Sequence, residues 1–403
     1  MSSRVLLGIT GGIAAYKTPW LVRLLVESGM EVHAVMTRAA TQFVTPLTLA
    51  TVSGNRVEHD MWEKPFEPQI EHITLADQAD IAVIAPATAN IIGKMASGIA
   101  DDLLTTMFMA LKCPALICPS MNVNMFRNPV VQRNLNTLRE LGYHVLDPAS
   151  GYLACGWVGE GRLPEPECIV QEIRNLLAPR DLEGEKVLVT AGPTEEPLDP
   201  VRFLTNRSSG KMGVAVAARA LARGADVMLV AGPISISVPE GLKHIPVRTA
   251  QEMHDRVMEV SNGMSVIVKA AAVADFRPAM ESVDKIKKEV AEPYIPLAPN
   301  PDILKALGDK KPHDQILVGF AAETGNTVEN GRKKLSSKNL DLLVVNDVTR
   351  PGAGFDYDTN IVRFLHRSGL EEEFEIMPKM KVADLILDRV RDLRKSLKAG
   401  GEP

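Results

Sequence analysis

The sequence predicts an α/β protein of two Rossmann-like domains, each a parallel sheet covered by helices. Three observations carry this. Short apolar runs alternate with helical patterns along the chain, the order that gives parallel strands with both faces covered. The 403 residues exceed one typical domain. A charged join, Ala178-Pro-Arg-Asp-Leu-Glu-Gly-Glu185, separates two halves that each open on an apolar strand and a glycine turn. The expected domains are residues 1–179 and 180–403.

In the first half, Val5–Ile9 reads as a buried strand, and Thr10-Gly11-Gly12 turns it into an Ala- and Leu-rich helix ending near Ser28-Gly29. Such a turn presents backbone N–H groups to an anion, although a bare Thr-Gly-Gly is more often only a tight turn. Further strands are expected at Glu31–Met36, Ile81–Ala85, Leu116–Cys118 and Tyr143–Leu146, with helical patterns such as Asp101–Leu111 between them. The strand at Leu116 runs into Pro119-Ser-Met-Asn-Val-Asn-Met-Phe126. Asn122 and Asn124 are core residues only if their amides are fully hydrogen-bonded, and strand ends are where α/β sheets build sites. An ordinary Asn-rich turn is the competing reading. Thr10, Thr37, Thr88 and Asn90 also fall at strand ends; this set suits a phosphate and a flat heterocycle better than a metal. His72 stands alone before a helix. Cys155 lies in the glycine-rich Ser150–Arg162, which has little core-forming capacity and reads as a flap carrying one thiol, or as a surface loop.

The second half restarts with Val187-Leu-Val-Thr-Ala-Gly-Pro193. Strands follow at Asp226–Val230, Ser265–Lys269, Gln315–Phe320 and Leu342–Asn346, and helices at Lys211–Arg223 and Thr249–Val260. Thr205-Asn-Arg-Ser-Ser-Gly-Lys-Met-Gly213 has the polarity of a phosphate loop but is not a Walker A, since Met212 stands where Ser or Thr is needed. Asp284-Lys-Ile-Lys-Lys288 is a short basic run, which also suits a solvated surface. Asn300-Pro-Asp-Ile-Leu304 is a capped helix start with Pro near its first position. Asp275 ends the apolar run of Ala270-Ala-Ala-Val-Ala-Asp-Phe276, a useful place for a catalytic or metal-binding carboxylate.

Composition narrows the classes. The net charge of −5 has mixed signs along the chain, so no broad nucleic-acid surface is expected. No apolar run approaches the ~18 residues of a membrane span. Val5–Ala15 after Arg4 outlines a weak signal peptide, but its glycines fit a strand and turn better, so no export is expected. The four cysteines have neither zinc nor disulfide spacing, which suits a reducing cytoplasm.

Four motifs occur together and in order: Gly11-Gly-Ile-Ala-Ala-Tyr-Lys17, Pro86-Ala-Thr-Ala-Asn90, Pro119-Ser-Met-Asn-Val-Asn-Met125 and Leu153-Ala-Cys-Gly156. The set resembles the homo-oligomeric flavin-containing cysteine decarboxylases, closest to phosphopantothenoylcysteine decarboxylases, over about residues 4–178. One departure is Phe126, where some members carry Trp or Tyr. The resemblance implies a flavodoxin-like domain holding FMN against Gly11, Thr37, Thr88 and Asn90. It implies Asn122 on the substrate carboxylate, His72 assisting at the reacting end and Cys155 as proton donor. It also implies the chemistry: transient oxidation of the substrate thiol by FMN provides the electron sink for loss of CO2, and the electrons are then returned.

Over roughly residues 184–395 the order Ala-Gly-Pro-Thr, Ser-Ser-Gly-Lys-Met-Gly, Ala-Ala-Val-Ala-Asp, Lys-Ile-Lys-Lys, Asn-Pro-Asp-Ile and Gly-Phe-Ala-Ala-Glu-Thr resembles phosphopantothenate–cysteine ligases. Both parts in one chain resemble the fused bifunctional enzymes of bacterial coenzyme A biosynthesis. This resemblance implies that CTP activates 4′-phosphopantothenate as an acyl-cytidylate, which cysteine then attacks. It places the nucleotide on Ala270, Ala271, Asp275, Lys285, Pro301, Asp302, Ile303, Leu304, Phe320, Lys334 and Lys338. Lys285 is counted as catalytic too, Mg2+ is expected near Asp275, and Asn206 is expected to bond the acyl group during cysteine attack. Trimeric decarboxylase contacts and dimeric ligase contacts would close into a homo-oligomer, a dodecamer in the family-like outcome.

Three other readings compete, one of them a prenyltransferase-type flavoprotein of similar fold, which would need neither the Leu-Ala-Cys-Gly flap nor a cytidylate-forming partner domain. An NAD-dependent Rossmann oxidoreductase would need the full glycine fingerprint with an acidic residue about 20 positions later, which the chain lacks. A non-enzymatic, flavin-binding regulatory relative would not need Cys155, Lys285 and Asn206, which are all present.

Overall fold

The computed structural model describes residues 2–59, 71–152, 158–239, 241–287, 294–323, 327–347, 354 and 357–400. The chain divides into two compact units, Met1–Ala178 and Pro179–Pro403.

The first unit is built on β1 (Arg4–Ile9), β2 (Glu31–Met36), β3 (Ile81–Ala87), β4 (Ala115–Pro119) and β5 (His144–Val145). They form one parallel sheet in the order β2-β1-β3-β4-β5. β1, β3 and β4 are buried along almost their whole length, because helices cover both faces. One layer contains a 3-10 turn, Ile13–Lys17, with α1 (Thr18–Glu27) and α2 (Pro46–Ser53). Leu21, Val22 and Leu25 of α1 pack on Val5, Leu7 and Ile9 there. α3 (Glu71–Gln78), α4 (Ala89–Ala96), α5 (Leu103–Met109), α6 (Val123–Phe126) and α7 (Pro129–Glu140) follow in the chain. Ile91, Ile92, Leu104 and Leu135 close the second face over Leu6, Ile84 and Ile117. β6 (Ala149–Tyr152) and β7 (Val158–Arg162) make an antiparallel hairpin, and α8 (Pro166–Leu176) returns to α1.

The second unit has an eight-stranded sheet, larger than the four apolar runs after Val187 suggest. Its members are β8 (Lys186–Ala191), β11 (Asp226–Ala231), β12 (Lys243–Pro246), β13 (Val266–Lys269), β16 (Ile316–Glu323), β17 (Leu342–Asp347), β19 (Val362–His366) and β20 (Glu371–Glu373). The order is β12-β11-β8-β13-β16-β17-β19-β20, parallel as far as β17 and antiparallel beyond it. Two small hairpins lie outside the sheet: β9 (Glu195–Pro197) with β10 (Phe203–Thr205), and β14 (Phe276–Pro278) with β15 (Leu297–Pro299). β18 (Thr359–Asn360) pairs with β21 (Met377–Pro378). α9 (Lys211–Ala222) and α13 (Lys379–Lys398) cover one face, packing Val214, Ala217, Ile386 and Leu387 over Val187, Val189, Val266 and Val268. α10 (Ala250–Val260), α11 (Ile303–Lys310) and α12 (Thr327–Ser337) belong to the other, where Met253, Leu307 and Leu335 meet Leu188, Ile267 and Leu317. Gly213 explains the close seat of α9. A Cβ there would lie 2.6 Å from Ala191 Cβ and 2.7 Å from the Thr190 carbonyl oxygen. No helix among the described residues is long and apolar enough to cross a membrane.

Candidate functional site

In the first unit, strand order reverses between β1 and β3, and the crevice at that switch point is where such sheets receive ligands. The residues there hold one another in place. The Thr10 hydroxyl donates to the Pro86 carbonyl at 2.7 Å and accepts from the Thr88 amide at 3.2 Å. Thr88 caps α4, accepting from the Ile91 amide, and Asn90 is exposed on that helix's first turn. Thr37 follows β2; its hydroxyl lies 3.4 Å from the Ile9 carbonyl and accepts from the Ala40 amide at 3.3 Å. Gly11 lies against this second loop: a Cβ at Gly11 would fall 2.9 Å from the carbonyl carbon of Ala39 and nearer still to its Cβ. Gly12 has no such neighbour, since its Cβ would meet only the Thr88 methyl at 3.6 Å. The crevice is thus a narrow, hydroxyl-lined cradle in which β1, β2 and β3 all end. These residues fit the phosphate and ring edge of a flavin.

The Asn122 turn joins the same rim. The Ser120 amide donates to the Ala87 carbonyl at 2.9 Å, tying the end of β4 to that of β3. Asn122 caps α6, its Oδ1 accepting from the Asn124 amide at 2.8 Å. The Met121 amide donates to the Gly161 carbonyl at 2.9 Å. Gly161 has φ +131°, and a side chain there would collide with the Met121 carbonyl. Two parts of the Ser150–Arg162 stretch are paired as β6 and β7, and β7 packs against the Asn122 turn. Cys155, between the two strands, lies outside the described residues. The backbone of His72 falls in the first turn of α3; its side chain lies outside the described residues. Cys118 on β4 is fully buried, and burial pushes its thiol well above the usual range, so it is not a candidate nucleophile.

The second unit has a cavity of about 620 Å³ at the carboxyl ends of β13 and β16. Asn206, Ala270, Ala271, Asp275, Pro301, Asp302, Ile303, Leu304, Phe320, Lys334 and Lys338 all line it, although they span 133 positions of sequence (338 − 206 + 1). The Asn206 amide donates to the carbonyls of Ala272 and Val273 at 3.3 and 3.1 Å, fastening the loop before α9 to the strand end. Asp302 caps α11 by accepting from the Lys305 amide at 3.0 Å, and it pairs with Lys338 at 2.9 Å. Burial raises the Asp302 carboxyl, but that amide and the Lys338 ammonium outweigh it and hold the group below its ordinary range. Among the described residues no three His, Cys, Asp or Glu side chains form a metal cluster. Asp275 and Asp302 are the two carboxylates that line the cavity among these residues and Asp302 is taken up by Lys338, so Asp275 alone suits an ion that arrives on phosphate oxygens and not one held by protein alone.

Lys285 is the exception to the set. It is exposed and does not line the cavity. Its segment is held from the β9–β10 hairpin instead: the Ile286 amide donates to Asp199 Oδ2 at 3.2 Å, and Arg202 Nη2 donates to the Ile286 carbonyl at 3.1 Å. The Arg202 guanidinium, with three backbone amides, keeps the Asp199 carboxyl far below the usual range.

Sequence reading missed several cavity residues. Lys269 reads as the polar stop of an apolar strand, yet it faces the cavity. Asn346 on β17, Asn360 on β18 and Lys379 at the start of α13 also line it, and no local motif marks them. Asn360 is 3% exposed, and its amide donates to Met212 Sδ at 3.5 Å. The Thr205–Gly213 loop does end in a helix start, with Gly210 at φ +76° just before α9, as its phosphate-loop polarity suggests.

Two family descriptions match the chain: "Flavoprotein" over residues 1–178, and "DNA/pantothenate metabolism flavoprotein C-terminal domain" over residues 182–393. A coenzyme A biosynthesis bifunctional protein CoaBC from Bacillus subtilis (strain 168) is 47% identical over 395 residues, covering 97% of each chain. The protein of that name from Escherichia coli (strain K12) is 42% identical over 391 residues, covering 96% of each. The solved C-terminal domain of a CoaBC protein aligns at 39% identity and TM-score 0.47, over 54% of this chain and 98% of that one. With full-length relatives at this identity and both halves matched in order, the chain belongs to the family of bifunctional coenzyme A biosynthesis proteins.

Proposed function

We propose that residues 180–403 join 4′-phosphopantothenate to cysteine with CTP, and that residues 1–179 decarboxylate the product with FMN to give 4′-phosphopantetheine. One observation supports this most: the scattered residues that resemble a cytidylate-forming ligase line one cavity, with basic and amide side chains converging on it. Lys334 and Lys338 would neutralise the triphosphate as charge moves to the leaving pyrophosphate. Mg2+ carried by the nucleotide would meet Asp275. Asn206 would hold the acyl group for attack by the cysteine amine, giving an amide and CMP. Lys285 would have to be brought to the cavity by closure of its segment.

In the first unit, bound FMN would supply a reversible two-electron acceptor. The chain's own share is positional. Gly11, Thr37, Thr88 and Asn90 seat the cofactor, Asn122 orients the substrate carboxylate, His72 assists at that end and Cys155 delivers the proton that replaces CO2. We place the reaction in the cytoplasm. We also read the chain as a homo-oligomer, because each unit exposes large apolar side chains: Tyr16, Trp20 and Leu47 in the first, and Val201, Phe203 and Phe276 near the small hairpins of the second.

The test is to mix protein, Mg2+, 4′-phosphopantothenate and cysteine with CTP, ATP, GTP or UTP separately, and to follow pyrophosphate and CO2. Pyrophosphate and CO2 with CTP are expected. CTP hydrolysis without amide formation, or a colourless protein that binds NADH, overturns the reading.

A further inference from the structure

Lys269 is not among the nucleotide contacts that the family resemblance supplies. It is the last residue of β13, the central strand of the second unit, between Thr190 on β8 and Gly319 on β16. Neither neighbour carries charge. Alternation along the strand fixes its direction. Val266 and Val268 pack towards α9 and α13, whereas Ile267 packs among α10, α11 and α12. Lys269 shares the side of Ile267, and its half-buried side chain lines the cavity with Asp302, Lys334 and Lys338.

Its partners are unusual for a lysine so placed. The ammonium donates to the Ala271 carbonyl at 2.8 Å. Among the described residues no carboxylate lies within ion-pairing distance of it, whereas neighbouring Lys338 has Asp302 at 2.9 Å. The charged groups that face it are Lys334 from α12 and Lys338 just after it, Asp302 at the start of α11 and Asp275 beyond the strand end. An ammonium half-buried on a backbone carbonyl, with the Asp302 carboxylate beside it taken up by Lys338, is a poor resident of an empty cavity and a good one once phosphate oxygens enter.

We propose that Lys269 is a further triphosphate-binding cation of this cavity, and that nucleotide binding draws a proton from solution onto it. This rests on the nucleotide reading of the cavity. Burial, with the Lys338 charge as the next cause, lowers the lysine to about 8. At pH 8 about half of the chains would therefore carry a neutral Lys269, and a polyanion beside it would return the group to its charged form. The sign follows: uptake is small at pH 7, about half a proton at pH 8 and nearly a whole one at pH 9. Above pH 8 the affinity for CTP falls towards tenfold per pH unit.

The measurement is titration calorimetry of the full-length protein with Mg2+ and CTP, in two buffers of different ionisation enthalpy, at pH 7, 8 and 9. Lys269→Arg stays charged throughout. It should bind CTP with no uptake attributable to this position and with a flatter pH profile. Lys269→Met should bind more weakly at pH 7, with that difference shrinking by pH 9. Equal proton uptake by the wild type and Lys269→Arg overturns the proposal while leaving the nucleotide reading intact. No CTP binding by the wild type at any pH removes both.

Discussion

Gly11 and Gly12 are adjacent and chemically identical, yet the structure predicts opposite outcomes for the same substitution. In Gly11→Ala the new methyl would fall 2.9 Å from the Ala39 carbonyl carbon, where ordinary contact begins near 3.4 Å. Its nearest neighbours are backbone atoms and the Cβ of Ala39, none of which can rotate away. The loop after β1 and the loop after β2 must separate by roughly half an ångström or more, and overpacking of this kind costs about 1–3 kcal/mol. The same two loops carry Gly11 and Thr37, so the strain falls on the flavin cradle. If it is felt in binding, FMN affinity drops by about 5- to 150-fold. In Gly12→Ala the methyl meets only Thr88 Cγ2 at 3.6 Å, and the backbone, at φ −160° and ψ 158°, is extended and open to any residue. Reduced freedom of the unfolded chain should even favour that variant by about 0.4–1 kcal/mol. The assay is fluorescence titration of flavin-stripped wild type and both variants with FMN, with thermal melts of each. Gly11→Ala binding FMN as tightly as Gly12→Ala would refute the argument that these loops are in obligatory contact.

Other expectations follow from single contacts. Asn206→Asp removes two donors and faces a carboxylate towards the Ala272 and Val273 carbonyls; at about 1 kcal/mol for each lost bond, amide formation should slow some 30-fold or more. Pyrophosphate release should slow less, and equal slowing of both in quench-flow assays counts against a role in the second half-reaction. Cys155→Ser should release CO2 without forming 4′-phosphopantetheine, so normal product from that variant excludes the thiol as proton donor. Lys311→Met leaves the wholly buried carboxylate of Asp341 with only the more distant Arg367 and the Leu317 amide, and should cost about 3 kcal/mol in urea melts of the second unit. Pairing it with Asp341→Leu should recover much of that loss. Asp199 is held as the anion by Arg202. Its folded value lies below its unfolded one, so its stabilisation is complete above about pH 4 and fades as pH falls further. Asp199→Asn should therefore be less stable than wild type at neutral pH, with the gap closing in acid; a constant gap from pH 7 to 3 in circular dichroism melts rejects the charge as its source.

The parallel strands were legible because burial on both faces forces continuous apolar runs, and Val5–Ile9, Leu116–Cys118 and Val187–Thr190 are such runs. What escaped is local geometry without periodicity. β9, β10, β14 and β15 have three residues each, too few to show alternation. The two-residue strand β18, paired with β21 outside the main sheet, carries Asn360 to the cavity from far along the chain. α13 shows an apolar stripe, Val382, Ile386 and Val390, yet it lies beyond the last strand expected from sequence. The site divides in the same way. Motif residues that sit on strand ends converge as a set, whereas Lys285, on an irregular segment, stands away from the cavity. Lys269 needed its strand's facing, which a sequence does not state.

The last helix does more than cover the sheet. Arg223 Nη2 and Arg391 both reach Asp181, while Arg394 and Lys398 both reach Glu185, so the final turns of α13 grip the residues just ahead of β8. Two segments of the second unit that lie far apart in sequence, residues 181–185 and 391–398, are thereby tied by charge at one corner. Removing the side chains of Arg391, Arg394 and Lys398 together would loosen the segment just ahead of β8, some two hundred positions earlier in the chain, before it disturbed the sheet itself.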